Sequence, residues 1–256
     1  MRMSSRYSRS QVDEENPYWI SFSDIMAGLL VIFMLAAVVF IMELIQKSER
    51  WDEAIEEIAR AEEVRKNILR EIEQELRNQN IPVEVIDNDT VLRIPDDVLT
   101  FQQASSDLPD DPEVRRVAAE IGRVLFEAIT KQERWKYLDT IFVEGHTDPD
   151  PYKNPMLKGN WGLSTMRAIS LWMFWNKEMP EGQRLDSLIN HDDKKLFSVS
   201  GYAETRPPAC DLDASGRCEV LEDERDDYHK HRRIDIRFTV RRPAIEQYRS
   251  VKEALN

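Results

Sequence analysis

The residue that first invites a chemical reading is Asp24, which stands directly before IMAGLLVIFMLAAVVFIM, a run from Ile25 to Met42 without charge, amide or hydroxyl. A carboxylate in hydrocarbon costs about 3 kcal/mol on insertion scales unless it finds a partner, water or a proton. Two roles are open to it. It can cap the helix or reach to lipid headgroups, or it can alternate between protonated and ionised forms, because burial raises a carboxyl pKa toward neutrality and lets the group take up and release an ion. Glu43, near the opposite end of the run, is expected to face water. Cys210 and Cys218 flank Asp-Leu-Asp-Ala-Ser-Gly-Arg. In an oxidising compartment a disulfide closing that loop would add about 2 to 3 kcal/mol, and the alternative is two unpaired thiols. His146 has no ligand-spaced His or Cys cluster around it, so neither a metal nor a cofactor is expected. The chain offers no nucleophile with a base and no phosphate loop, and an enzyme is not expected.

These residues depend on the elements that carry them. From Ile25 to Ile45 the apolar segment spans about 31 Å at 1.5 Å per residue, the thickness of a bilayer's hydrocarbon core. One transmembrane helix is predicted, over residues 18–46. The apolar core is too long for a secretory signal, and Gln46-Lys47-Ser48-Glu49 lacks a small-x-small cleavage pattern. Tyr18, Trp19 and Phe22 stand at its entry, as aromatic residues do at membrane interfaces. Ala27, Gly28, Ala36 and Ala37 allow close approach of neighbouring helices. Arg2, Arg6 and Arg9 before the span are matched by Lys47, Arg50 and Arg60 after it, so basic residues do not set the orientation.

Residues 44–80 contain no Gly or Pro and are dominated by strong helix formers. Trp51, Ile55, Ile58, Ala61, Val64, Ile68, Ile72 and Leu76 recur at spacings of three or four and mark an amphipathic helix. That face either packs on the chain's own C-terminal domain or pairs with a second copy as a parallel coiled coil; the direct continuation from the span favours the coiled coil.

Beyond residue 80 the texture changes. Strands are predicted at Val83–Ile86 and Val91–Ile94 around an Asp-Asn-Asp turn, at Thr140–Gly145, at Phe197–Gly201 and at Ile234–Val240. Helices are predicted at about Asp111–Thr130, opened by Asp-Pro, and about Trp161–Asn176. The fold class is α+β: a membrane helix, a helical connector and an α/β sandwich. The chain has 256 residues, room for one domain with an appendage, and its 35 basic against 48 acidic residues give a net charge of −13. That balance repels polyanions, so direct nucleic-acid binding is not expected.

Four motifs occur in order: Gly145-His146-Thr147-Asp148, Asn160-Trp161-Gly162-Leu163-Ser164-Thr165-Met166-Arg167-Ala168, Gly201-Tyr202-Ala203-Glu204-Thr205-Arg206-Pro207 and His231-Arg232-Arg233-Ile234. Together they resemble the serial motifs of OmpA-like peptidoglycan-binding domains over roughly residues 85 to 241. The resemblance implies that Asp148 and Arg167 form the pocket for a peptidoglycan stem peptide, lined by Thr147 and Leu163. One Asp and one Arg can pair with the two ends of the zwitterion in diaminopimelate. Without the motifs, Asp148 would read as a turn cap and Arg167 as an exposed helix charge. Two departures stand out. The loop PDPYKNPMLKG between Asp148 and Asn160 is longer than the family's usual version, which bears on ligand specificity, and His231 replaces the Asn that commonly opens the fourth motif.

A tail, one membrane helix opened by an Asp, a helical connector and an OmpA-like domain together resemble the B subunits of rotary stators, the MotB family. Ser-Phe-Ser-Asp-Ile-Met-Ala-Gly-Leu is similar to the ZorB branch found in Zorya anti-phage defence. The resemblance implies a cytoplasmic tail (1–17), an inner-membrane span (18–46), a connector (47–80), a periplasmic OmpA-like domain (81–245) and a C-terminal tail (246–256). It further implies two B chains within five MotA-like (ZorA) subunits, with cytoplasmic defence effectors reached indirectly. Asp24 would carry the ion. A proton is expected, since a lone carboxylate needs no other ligand; sodium would need further oxygens, from Ser21, Ser23 or the A subunit. A flagellar stator and a passive wall tether are the alternatives.

Overall fold

The absence of helix breakers between residues 44 and 80 has a direct outcome. In the computed structural model, which describes residues 17–102, 104–154, 158–208 and 228–242, helix α1 runs unbroken over Pro17–Asn78. The chain divides into two units between Ile55 and Glu56, and α1 contributes to both.

In the first unit the apolar side chains of α1 stand exposed, Ile32 at 68% and Phe33 at 71%, and Asp24 is exposed as well. Apolar surface on this scale requires lipid or protein around it. This is the one helix among the described residues long and apolar enough to cross a membrane.

In the second unit the later turns of α1 belong to the core. Ala61, Ile68, Leu69, Ile72 and Leu76 are buried, and the last four join one apolar cluster with Leu92, Ile94, Ile121, Leu125, Ile236 and Phe238. This corrects the coiled-coil expectation for the connector. From Ala61 to Leu76 the stripe closes onto the chain's own domain, and of the predicted seam Trp51 and Ile55 remain exposed. Ion pairs fix the contact at its edges: Glu71 takes Lys131 at 2.6 Å and Arg134 at 2.7 Å, and Asp89 takes Arg70 at 3.3 Å. The helix ends where Asn80 adopts a left-handed φ of 60° and Ile81 N–H returns to the Leu76 carbonyl.

Strands β1 (Glu84–Ile86), β2 (Val91–Pro95), β3 (Leu138–His146), β4 (Phe197–Gly201) and β5 (Arg233–Val240) form one sheet in the order β1-β2-β5-β3-β4. Its pairs are antiparallel except β3 with β4. Alternation along each strand sorts the two faces. Leu92, Ile94, Ile141, Val143, Ile234, Ile236 and Phe238 line the apolar face; helix α3 (Asn160–Glu178) packs along β3 and β4, and helix α2 (Pro112–Thr130) packs on α3 and joins the same core cluster. The opposite face carries the charged residues Arg93, Glu144, Arg233, Asp235 and Arg237, with Phe142 beside them. Helix α2 starts as its Asp-Pro predicts, with the Asp111 carboxylate accepting from the N–H groups of Glu113 at 2.8 Å and Val114 at 3.2 Å.

Two substitutions separate a core helix from a coiled-coil seam. Ile72→Ala is expected to destabilise the sheet domain by about 3 kcal/mol, while Ile55→Ala, at a site 60% exposed, leaves it within about 0.5 kcal/mol. Urea unfolding of the detergent-solubilised chain, followed by Trp fluorescence, checks both.

Candidate functional site

Helix α3 approaches the parallel pair β3 and β4 at two glycines. A Cβ on Gly145 would lie 2.0 Å from the Ser164 carbonyl oxygen, and one on Gly201 would lie 2.5 Å from the Thr165 nitrogen. No side chain fits at either place. The loops that leave the two strands are then bound together. Tyr202 N–H donates to the Gly145 carbonyl at 2.9 Å and Thr147 N–H to the Ala203 carbonyl at 3.0 Å, while Ala203 N–H donates to Ser164 Oγ at 3.1 Å. Asn160, first residue of α3, holds the next loop: its Nδ2 donates to the carbonyls of Asp148 (3.3 Å) and Asp150 (3.0 Å), and its Oδ1 accepts from Tyr152 N–H at 3.0 Å.

This packing opens a cleft of about 360 Å³. Thr147, Asp148, Leu163 and Arg167 all line it, joined by Asp96, Phe101, Tyr152 and Arg232. Asp148 and Arg167 share the cleft without pairing. Asp148 Oδ1 accepts from Asp150 N–H at 3.2 Å, the turn cap read from sequence, and its Oδ2 accepts from Arg232 Nη1 at 3.1 Å. Arg232 also donates from Nε to Asp96 at 3.1 Å, so one guanidinium bridges two carboxylates. Arg167 is 3% exposed, against the exposed helix charge its position alone suggests. Its Nε donates to the Ser105 carbonyl at 3.0 Å and its Nη2 to the Gln102 carbonyl at 3.3 Å. Its guanidinium carbon lies 5.2 Å from the Phe101 ring centre.

The electrostatics follow from this burial. Burial draws the Arg167 pKa below its ordinary value, opposed by Asp96 and Asp148. Burial raises Asp96, against the pull of Arg232. For Arg232, burial lowers the value but the bonds to Asp148 and Asp96 outweigh it, and the net shift is upward. A cleft with fixed cations beside carboxylates already held in place suits a ligand carrying both charges.

On the charged face of the sheet, Glu144, Arg233 and Asp235 are buried, and Arg93 and Arg237 partly so. Asp235, 2% exposed, accepts from Arg93 at 3.1 Å and from Arg233 at 3.0 Å. Burial would raise it, yet Arg233 and Arg93 hold it below the ordinary carboxylate range. His146 is 1% exposed and stacks on Tyr202 with ring centres 5.5 Å apart. Its Nε2 comes within 3.4 Å of Asp235 Oδ2 without hydrogen-bonding geometry, and neither ring nitrogen has a hydrogen-bond partner. Burial, reinforced by Arg233, pushes its pKa down to about 3.

Of the other residues singled out in the sequence, Asp24 lies in the first unit, and Cys210 and Cys218 fall outside the described residues. Among the described residues no group of three or more His, Cys, Asp or Glu is placed to hold a metal. Asp96 and Tyr152 carry no pattern that marks them as cleft residues: one follows a strand as turn carboxylates do, and the other lies in the long loop. Arg232 stands within the fourth motif, which was its available signal.

Part of the chain is similar to Motility protein B of Bacillus subtilis, 33% identical over 96 residues, which cover 38% of this chain and 28% of that protein. A longer part is similar to Zorya protein ZorB of Escherichia coli O139:H28, 23% identical over 146 residues, covering 56% of this chain and 55% of that protein. The matches thus span less than two thirds of either relative. A MotB-like protein from Desulfovibrio vulgaris superposes with a TM-score of 0.48 at 16% identity, over 72% of this chain and 99% of that one. No family model matches. Over the matched segments the chain is ZorB- and MotB-like.

His146 yields a pH prediction. Its folded-state pKa of about 3 lies below the 6.5 of an unperturbed His, so the fold favours the neutral ring. Below pH 6.5 the unfolded chain takes up a proton that the fold refuses, and stability is lost as pH falls from 6.5 toward 3, by up to about 1.4 kcal/mol per pH unit. His146→Phe, which keeps the ring stack and cannot titrate, is expected to flatten the decline between pH 6.5 and 4. Thermal unfolding across that range, wild type against variant, measures the difference.

Proposed function

We propose that this chain is the B-type subunit of an ion-driven inner-membrane rotary stator in anti-phage defence, anchored to peptidoglycan and not itself an enzyme. The observation that carries this reading is the similarity to both Motility protein B and Zorya protein ZorB. The membrane-length helix opened by Asp24 supports it. In this reading the N-terminus is cytoplasmic, the span crosses the inner membrane once, and the sheet domain lies in the periplasm. Two copies pair within a ring of MotA-like ZorA subunits, five in the family's pattern.

The mechanism rests on charge. Ion binding neutralises Asp24 and weakens its attraction for polar groups of an A subunit; release restores it, and alternation between the two states biases stepwise rotation of the A ring. One charge crossing 100 mV supplies about 2.3 kcal/mol. The ion is H+, with Na+ as the alternative. The stator must be held still for that rotation to do work. The cleft does this by binding a stem peptide, its ammonium toward Asp148 and its carboxylate toward Arg167, with Thr147 and Leu163 along the wall. Rotation then reaches cytoplasmic effectors through the A ring. A flagellar-type stator is the second reading, favoured by the higher identity to Motility protein B, 33% against 23%.

Phage plating on cells carrying this chain with its neighbouring genes tests the proposal. At equal membrane levels, Asp24→Asn is expected to reduce protection to that of cells lacking the chain. Full protection by the variant would leave a passive tether between membrane and wall. Rescue of swimming in a stator-deficient strain, without protection from phage, would select the flagellar reading.

A further inference from the structure

Tyr152 belongs to the long loop that separates this chain from the OmpA-like pattern. It lines the cleft with Arg167. Both ends of the residue are held: its N–H by Asn160 Oδ1 at 3.0 Å, and its hydroxyl oxygen by Asn154 Nδ2, which donates to it at 3.1 Å. A phenol oxygen that accepts this bond turns its single hydrogen elsewhere, and among the described residues no acceptor takes that hydrogen. Arg167 is in the same state. Its Nε and Nη2 are engaged by backbone carbonyls, while Nη1 bonds to none of the described residues. Arg232, by contrast, commits all three nitrogens to Asp96 and Asp148. Among the described residues the donors left over in the cleft are therefore the Tyr152 hydroxyl, Arg167 Nη1 and the Thr147 hydroxyl, the last of them buried in the wall.

We propose that Tyr152 is a specificity-determining residue: its hydroxyl and Arg167 Nη1 together donate to the free side-chain carboxylate of the stem peptide's diamino acid, and discriminate against the same peptide with that carboxylate amidated. The inference rests on the wall-binding reading above. Two donors lining one cleft suit a carboxylate, which accepts at both oxygens. A carboxamide accepts at its oxygen alone and turns an N–H toward a donor, so one polar group in the cleft is left unpaired.

The test is calorimetric titration of the full-length chain in detergent with L-Ala-γ-D-Glu-meso-diaminopimelate and with its side-chain amide. Wild type is expected to bind the free acid about tenfold more tightly than the amide. Tyr152→Phe, which keeps the ring and removes the donor, is expected to lose most of that ratio by weakening binding of the acid while leaving that of the amide nearly unchanged. A Tyr152→Phe variant that discriminates as well as wild type overturns the inference, while Asp148→Asn and Arg167→Ala still abolish binding and keep the wall-binding reading intact. If those two variants bind both peptides like wild type, the wall-binding reading fails and this inference fails with it.

Discussion

The close approach of α3 to the ends of β3 and β4 is the constraint on which the candidate site depends. Gly145 and Gly201 are neighbours across the parallel pair, and Ser164 and Thr165 occupy the space where their Cβ atoms would be. With the helix at that distance, Ser164 Oγ can bind the Ala203 N–H, and the Ala203 carbonyl can bind the Thr147 N–H. Thr147 and Asp148 are thereby set opposite Leu163 and Arg167, one and two turns into the helix. A Cβ at either glycine would overlap the α3 residues packed against it.

The charges of this domain orient one another more than they stabilise it. Buried ion pairs roughly balance desolvation against attraction, and their removal one partner at a time is what costs most. Here they form two linked groups. Asp96, Arg232 and Asp148 close the floor of the cleft, and Arg93, Asp235 and Arg233 lie on the sheet behind it. Arg232 and Arg233 are consecutive residues with opposite destinations, one reaching the cleft and the other the charged sheet face. His146 sits against the second group as a neutral ring, where another positive charge would meet Arg233 and Arg93.

Much of this was legible in the sequence because it is written in local pattern. Strand alternation, the Asp111-Pro112 start of α2 and the break-free run through residue 78 each follow from the period or chemistry of adjacent residues. The ordered motifs were legible for a different reason: glycines and small residues at a tight helix–sheet contact leave little choice of side chain. The partner of the amphipathic connector was not legible. Periodicity shows that Ile68, Ile72 and Leu76 share a face but not what covers it, and the sheet of the same chain, far along the sequence, takes the place of a second copy. Asp96 and Tyr152 were hidden likewise, since their roles arise from distant segments meeting at the cleft. Arg167 shows the reverse: in isolation its side chain reads as exposed, and it is the most buried charge lining the cleft.

The central claim is that this cleft is where the chain holds the cell wall. Hydrogen exchange measured by mass spectrometry on the chain in lipid nanodiscs, with and without a diaminopimelate stem tripeptide, tests it most directly. The account predicts new protection in residues 147–152 and 160–167, and no change in the β1–β2 turn at residues 87–89. Unchanged exchange in both cleft segments at saturating peptide, or protection confined to the turn and the charged sheet face, would contradict it.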